Sequence, residues 1–356
     1  MSDLPLQDRH WLDAAVRLAT PFVGTTAENP TSAALVVELS SNTLISRAFT
    51  GRGGRPHAEA LALAAAGFNA AGATLYTTIE PCQHWGRMPP CTDAIIRAGI
   101  MRVVIGVSDP RTGGSAIEHL ESAGIEVVLA EHEGSAALHA GHTLRHIKQR
   151  PHTVVLVASE GGSTLESVDA YTGKIGGAVR VWHEALRSRY DALLVGGATA
   201  RTNPDLTVAL PGLSARTPLR VVLAGAAGLD RTVNLVGSFS GYRTAIIAET
   251  EAVIDAPVSV QVMRVPGEER QPNLAAAMAA LAGRGVQNLL VEPGRRLHEG
   301  LMTLHLADEI FLLVGSPSED GIKLTQQFAS CGFAEIGRER IGANTLVRYG
   351  RSSAPV

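Results

Sequence analysis

Four residues, His57, Glu59, Cys82 and Cys91, have the types and the order needed to do chemistry together. They read as H-A-E at 57–59 followed by P-C-x8-C from Pro81 to Cys91. One imidazole and two thiolates can hold Zn²⁺ and leave a fourth tetrahedral position for water. Zinc lowers the pKa of that water towards neutrality, which supplies hydroxide at physiological pH. A carboxylate two residues from the histidine can then shuttle protons without being a ligand. The chain holds one further cysteine, Cys331, which has no companion motif and reads as a core residue. Three cysteines do not make a disulfide framework. A reducing cytoplasm is the default, and there paired cysteines more often mean metal or catalysis than a crosslink.

The elements that must position these residues alternate between strand and helix. "DRHWLDAAVRLA" predicts a helix with Trp11, Ala14, Val16 and Leu18 near one face. "SAALVVEL" and "NTLISRAF" predict two strands around a Ser-Ser-Asn turn. "HAEALALAAAGF" is Ala/Leu-rich, hence helical, and places His57 and Glu59 at its opening. "ATLYTTI" is a strand leading to Cys82, and "CTDAIIRAG" is a short helix opened by Cys91 after Pro89-Pro90. The positive ends of the two helices favour thiolate at the ligand positions. "RVVIGV", "SAIEHLESAG" and "IEVVLA" add strand, helix and strand. Such alternation predicts a layered α/β domain with some parallel strand pairs. "EHEGSAALHAGHTLRHIKQR" (131–150) reads as a polar, His-rich helical connector, and Pro151 opens a second α/β series. The domain boundary falls near 148–151.

Composition narrows the classes of function. A hydrophobic content of 45% with 18% charged residues over 356 residues is that of a soluble globular chain with room for two domains. A net charge of −3 offers no global attraction to nucleic acid or anionic lipid. The N-terminal stretch lacks a signal-peptide apolar core, and no run is long enough for a membrane helix. These features predict a cytoplasmic protein without a nucleic-acid or membrane partner.

Zinc deaminases of the P-C-x-x-C type place their cysteines closer together than this chain does. The longer spacer, in "H-A-E … E-P-C-x-H-x-G-R-x-P-P-C", resembles the bifunctional riboflavin-biosynthesis deaminase/reductase family. "ENP" (28–30) and "DAIIRAGIMRVVIGVSDP" (93–110) resemble further stretches of the same family, in order, from about residue 8 to 130. The resemblance implies a cytidine-deaminase-like three-layer domain over 1–148 and a dihydrofolate-reductase-like domain over 149–356. It implies the substrate 2,5-diamino-6-(5-phosphoribosylamino)pyrimidin-4-one, whose ring amine is replaced by oxygen, and it suggests a homo-oligomer. Glu59 would take the proton from water and pass it to the leaving ammonia. Asn29 would contact the substrate, and His84 and Arg87 would sit beside the pocket, with Arg87 meeting the phosphate. Asn29 also reads as a turn residue before Pro30, and Arg87 as a solvated loop cation.

The second half resembles the family's reductase domain, most clearly through "RVWHEALRSRYDALLVGGATARTNPDLTV" (180–208). The resemblance implies NADPH, with Gly196, Gly197, Thr199 and Asn203 near the cofactor and Arg180 and Arg187 near the substrate. Backbone N–H groups left free at Gly196-Gly197 suit a diphosphate. Departures accompany the likeness. Leu156 stands where the family has lysine, Ala209 where it has arginine, and Pro293 where it has glycine. Candidates to replace the missing cations are Lys174, Arg180, Arg187, Arg201, Arg295 and Arg296. Three alternatives stay open at this point. One is a deaminase with a non-catalytic second half, another a nucleoside or nucleobase deaminase outside the riboflavin pathway. The third is a zinc-retaining protein without catalysis.

Overall fold

The structure is a computed structural model that describes residues 4–351, apart from 39, 87–88, 160–167, 169–176, 203, 205, 226, 238–240, 269–270 and 316–320 and the side chains of 321–323. The chain forms two compact units, Met1–Lys148 and Gln149–Val356. No described helix is long and apolar enough to cross a membrane.

The first unit is a five-stranded sheet between two helical layers. Its strands are β1 (Ala33–Glu38), β2 (Thr43–Phe49), β3 (Thr74–Thr77), β4 (Arg102–Ile105) and β5 (Glu126–Leu129), in the order β2-β1-β3-β4-β5. β3, β4 and β5 run parallel, while β1 is antiparallel to both of its neighbours. The apolar runs of β1 and β3 are buried on both faces, as strands covered from both sides must be. Helices α2 (Ala58–Ala66), α3 (Cys91–Arg97) and α4 (Ser115–Ser122) cover one face. Ala58, Ala62 and Ala66 recur every four residues and let α2 lie close on Ala34, Val36 and Leu75. Gly67, at φ +56°, ends that helix.

Helix α1 (Leu6–Ala19) packs on the opposite face, turned from the expected orientation. Its fully buried stripe is Asp8, Leu12, Ala15 and Ala19, with Trp11, Ala14 and Leu18 flanking it. The reason is polar. Asp8 accepts from the Tyr76 hydroxyl at 2.8 Å and takes a two-pronged bond from Arg102 at 2.9 Å. A second correction concerns residues 131–150. They form helix α5 (Glu133–Ile147), an integral part of this layer, with His139 and His142 each 1% exposed.

The topology brings three chain segments to one edge. The carboxyl ends of parallel β3 and β4 lead into Thr78–Cys82 and Gly106–Asp109. Because β1 is antiparallel to β3, its entry segment, Asn29–Ser32, lies at that same edge. Open α/β sheets bind ligands at such an edge.

The second unit is a nine-stranded, mostly parallel sheet. Its strands are β6 (His152–Ser159), β7 (Ala192–Gly196), β8 (Leu219–Ala224), β9 (Thr244–Glu249) and β10 (Gln261–Val265), followed by β13 (Asn288–Val291), β14 (Glu309–Val314), β15 (Phe333–Ile341) and β16 (Asn344–Arg351). The order is β10-β9-β8-β7-β13-β6-β14-β16-β15; a two-residue pair, β11 (Gly267–Glu268) and β12 (Gln271–Pro272), stands apart. Strand β16 runs antiparallel to both of its neighbours, β14 and β15. Alternate strand residues feed two cores, one under the helices Leu274–Gly283 and Arg295–Thr303, the other under Gly177–Arg187. Cys331 packs, partly buried, against the first of these.

Candidate active site

His57 is the N-cap residue of α2 and Cys91 the first residue of α3, so both helices begin at the edge where Cys82 leaves β3. His57 Nδ1 lies 3.5 Å from Cys82 Sγ and 3.4 Å from Cys91 Sγ. All three donor atoms lie within 4.8 Å of one another. Zinc bond lengths of about 2.3 Å to sulfur and about 2.05 Å to nitrogen, at a tetrahedral angle, require an S···N separation of roughly 3.6 Å. The group therefore fits a tetrahedral zinc ion. The amide N–H of Cys91 donates to Cys82 Sγ at 3.4 Å, and Thr92 N–H to the Cys82 carbonyl at 3.3 Å, so the start of α3 wraps the first thiol. The Cys91 thiol, then His57, pull the pKa of Cys82 down to about 4 against the effect of burial. The hydrogen bond to Cys82, together with burial, pushes the pKa of Cys91 up. The hydrogen bond to Cys82 raises the pKa of His57.

Glu59 is 3% exposed and is not part of the donor group. The hydroxyl of Thr77, at the end of β3, donates to its Oε1 at 3.0 Å. Burial raises its pKa. A carboxyl raised in this way sits closer to the range useful for proton transfer near neutral pH. A recess of about 20 Å³ joins Glu59 to His57, Cys82 and Asn29. It has room for about one water.

Several residues that build this recess are not singled out by the sequence reading. Buried Glu80 accepts the N–H groups of Asp109 and Ala116 at 3.1 and 3.3 Å, tying the β4 loop to the Cys82 segment. Asp109, on the recess wall, binds Arg111 through both carboxylate oxygens and takes His142 Nε2 at 3.1 Å. Burial alone would raise its pKa; His142 and Arg111 hold it well below the usual carboxylate range. His139 Nε2 meets Thr78 Oγ1 at 3.0 Å, and burial pushes its pKa down to about 3. Arg145 donates to the Glu28 carbonyl at 3.0 Å, beside Asn29. The signal for this wall is the spacing of His139, His142 and His146, which places them on one face of α5. Of the remaining expected residues, His84 is exposed and lines a separate, larger cavity, while Arg87 falls outside the described residues.

In the second unit, Gly196 ends β7 and Gly197–Ala200 forms a single helical turn. Gly294, after β13, approaches that turn closely enough that a Cβ there would stand 3.4 Å from Thr199 Oγ1. Gly196, Gly197 and Thr199 thus share one strand-end edge with Glu292 and Pro293; Asn203 and Lys174 lie outside the described residues. Arg187, expected near the substrate, lies inside the unit. It is 3% exposed, and Glu292 receives its Nε at 2.8 Å and its Nη2 at 2.6 Å. His183 Nε2 lies 2.6 Å from the same carboxylate. Arg201 donates to the Gly228 carbonyl and Arg295 pairs with Glu299, while Arg180 and Arg296 are exposed. Leu156, in the position of the expected lysine, is fully buried in the core.

A three-layer α/β/α sheet whose His/Cys/Cys group opens two helices at the strand ends is the architecture of a zinc-dependent cytidine-deaminase-like domain, here joined to a reductase-like α/β unit. The family model described as cytidine and deoxycytidylate deaminase zinc-binding region matches residues 5–107, and the RibD C-terminal domain matches residues 161–317. The chain is 30% identical to riboflavin biosynthesis protein RibD of Escherichia coli over 331 residues, 87% of this chain and 88% of that one. It is 38% identical to the Synechocystis RibD over 224 residues, 62% of this chain. The matched stretch spans 60% of the Synechocystis protein and 61% of its Aquifex aeolicus counterpart. Among solved structures, the diaminohydroxyphosphoribosylaminopyrimidine deaminase/5-amino-6-(5-phosphoribosylamino)uracil reductase of Thermotoga maritima superposes with a TM-score of 0.79 at 27% identity, covering 97% of this chain and 99% of that one. The chain belongs to the riboflavin biosynthesis protein RibD family.

Proposed function

We propose that this chain catalyses two successive steps of riboflavin biosynthesis. The first unit hydrolyses the ring amine of 2,5-diamino-6-(5-phosphoribosylamino)pyrimidin-4-one. The second then uses NADPH to reduce the ribosyl group of the product to ribityl. The observation that carries the reading is the tetrahedron-sized His57/Cys82/Cys91 group beside buried Glu59. Zinc, when bound there, activates water for attack on the ring carbon. Glu59 takes the proton of the attacking water and delivers it to the departing amine. The C–N bond breaks, a C=O bond forms and ammonia leaves. Thr77 orients the Glu59 carboxyl, and Asn29 offers its amide to the ring from the recess wall.

For reduction, the turn after Gly196-Gly197 and the neighbouring Pro293-Gly294 segment form the edge at which NADPH would lie. The protein supplies position there, and the hydride is the cofactor's. A second reading, deamination alone, is favoured by Leu156 and Arg187, since one is buried core and the other is committed to Glu292. The reading places the enzyme in the cytoplasm as a homo-oligomer acting on a small molecule.

The test is to supply substrate and NADPH to the zinc-loaded chain while following ammonia and absorbance at 340 nm. Ammonia followed by loss of absorbance is expected. Ammonia with a flat trace at high enzyme would leave deamination alone, and no ammonia would sink the proposal.

A further inference from the structure

The metal group faces two cavities of different size and character. The Glu59 recess, about 20 Å³, admits about one water, and no sugar phosphate fits in it. On the other side, lined by the starts of α2 and α3 and by Cys82, His84, Gly86, Pro89 and Pro90, lies a cavity of about 210 Å³. The two share His57 and Cys82. The larger cavity is floored by proline and alanine side chains, and its polar walls are Arg55, Arg97 and His84.

Among the described residues, no carboxylate lines this cavity, and neither Arg55 nor Arg97 has a hydrogen-bond or ion-pair partner. Asp93, one turn before Arg97, turns instead to His119 at 3.5 Å. The Arg55 guanidinium lies over the loop, where a Cβ at Gly86 would stand 3.5 Å from Nη2. Zinc with two thiolates is neutral, so the metal group would not offset these two permanent charges. Uncompensated guanidinium groups at one cavity match the oxygens of a phosphate monoester.

We infer that this cavity holds the anionic arm of the substrate, a pentose phosphate, with Arg55 and Arg97 as its phosphate-binding cations. The inference rests on the deaminase reading for the substrate class. The ring amine then enters the Glu59 recess while the phosphorylated sugar occupies the larger cavity. Arg55 and Arg97 set specificity and take no part in proton transfer.

The test uses the zinc-loaded full chain and the variants Arg55→Gln, Arg97→Gln and their combination. Calorimetric titration with ribose 5-phosphate, with ribose as the control, reads binding without turnover. The wild type is expected to bind the phosphate and not the free sugar, with each substitution weakening that binding roughly tenfold or more. Ammonia release is measured in parallel on the phosphorylated substrate and on its dephosphorylated form. The loss of kcat/KM on the phosphorylated form should exceed that on the other by roughly tenfold or more. Identical isotherms, absence of binding by the wild type, or equal losses on the two substrates would overturn the inference. Ribose 5-phosphate binding that depends on both arginines, with no ammonia from any form, would instead sink the deaminase reading and leave the phosphate site standing.

Discussion

Replacing Arg187 by methionine keeps an unbranched apolar stem and removes the two prongs that hold Glu292. The carboxylate is 4% exposed and, among the described residues, would be left with His183 alone. Breaking a buried ion pair from one side costs about 3–5 kcal/mol, because the remaining charge is uncompensated. Each kcal/mol lowers Tm by about 2–4 °C in a unit of this size, so the expected drop is roughly 6–20 °C. Calorimetry of the full chain reads this directly, with Arg180→Met, at an exposed position, as a control that stays within about 0.5 kcal/mol. The acid limb adds a second readout. Burial would raise the pKa of Glu292, but the charge of Arg187 and then that of His183 hold it well below 4.5. A depressed folded pKa stabilises the unit above about pH 4.5 and loses that contribution as pH falls towards the folded value. Glu292→Gln should therefore lower Tm at neutral pH and flatten the acid limb. An unchanged transition for Arg187→Met, with a raised KM for the reduction substrate, would refute this account and make Arg187 a substrate contact.

Glu59→Gln keeps an acceptor for Thr77 but cannot carry the proton, so ammonia release should fall by a factor of roughly 10²–10⁴ while zinc content stays at the wild-type level. Asp8→Asn weakens the buried bonds to Arg102 and Tyr76 and should lower the stability of the first unit by roughly 1–3 kcal/mol, read by urea unfolding. Burial works to raise the pKa of Asp8, but Arg102 and Tyr76 hold it low, so that contribution is full above about pH 4 and is lost as pH falls further. His142→Phe removes the bond to Asp109 Oδ1 and should cost roughly 1–2 kcal/mol in the same measurement, with no change at zinc.

The metal group was legible because its ligands sit at the starts of helices and the end of a strand, places that local pattern marks in a linear sequence. Glu59 followed from its distance of two residues from His57. The wall behind them was not legible. Glu80, Asp109 and His142 meet one another or Ala116 across 29–36 residues, and a polar helix read alone looks like a connector. The turn of α1 failed for the same reason, since Asp8 is buried only because Tyr76 and Arg102 meet it. In the second unit, the stretch 180–208 marked Arg187 as a candidate without saying that it faces the core and Glu292. A motif fixes residue type and order, and only packing decides whether a charge meets a ligand or another side chain.

The central claim is that His57, Cys82 and Cys91 hold a zinc ion that, with Glu59, removes a ring amine. Ammonia release from 2,5-diamino-6-(5-phosphoribosylamino)pyrimidin-4-one by the full chain, followed through zinc removal and restoration, tests it most directly. The account predicts ammonia equal to substrate consumed, lost on chelation and regained with one zinc per chain. Release that persists without zinc, or none from the zinc-loaded chain, would contradict it.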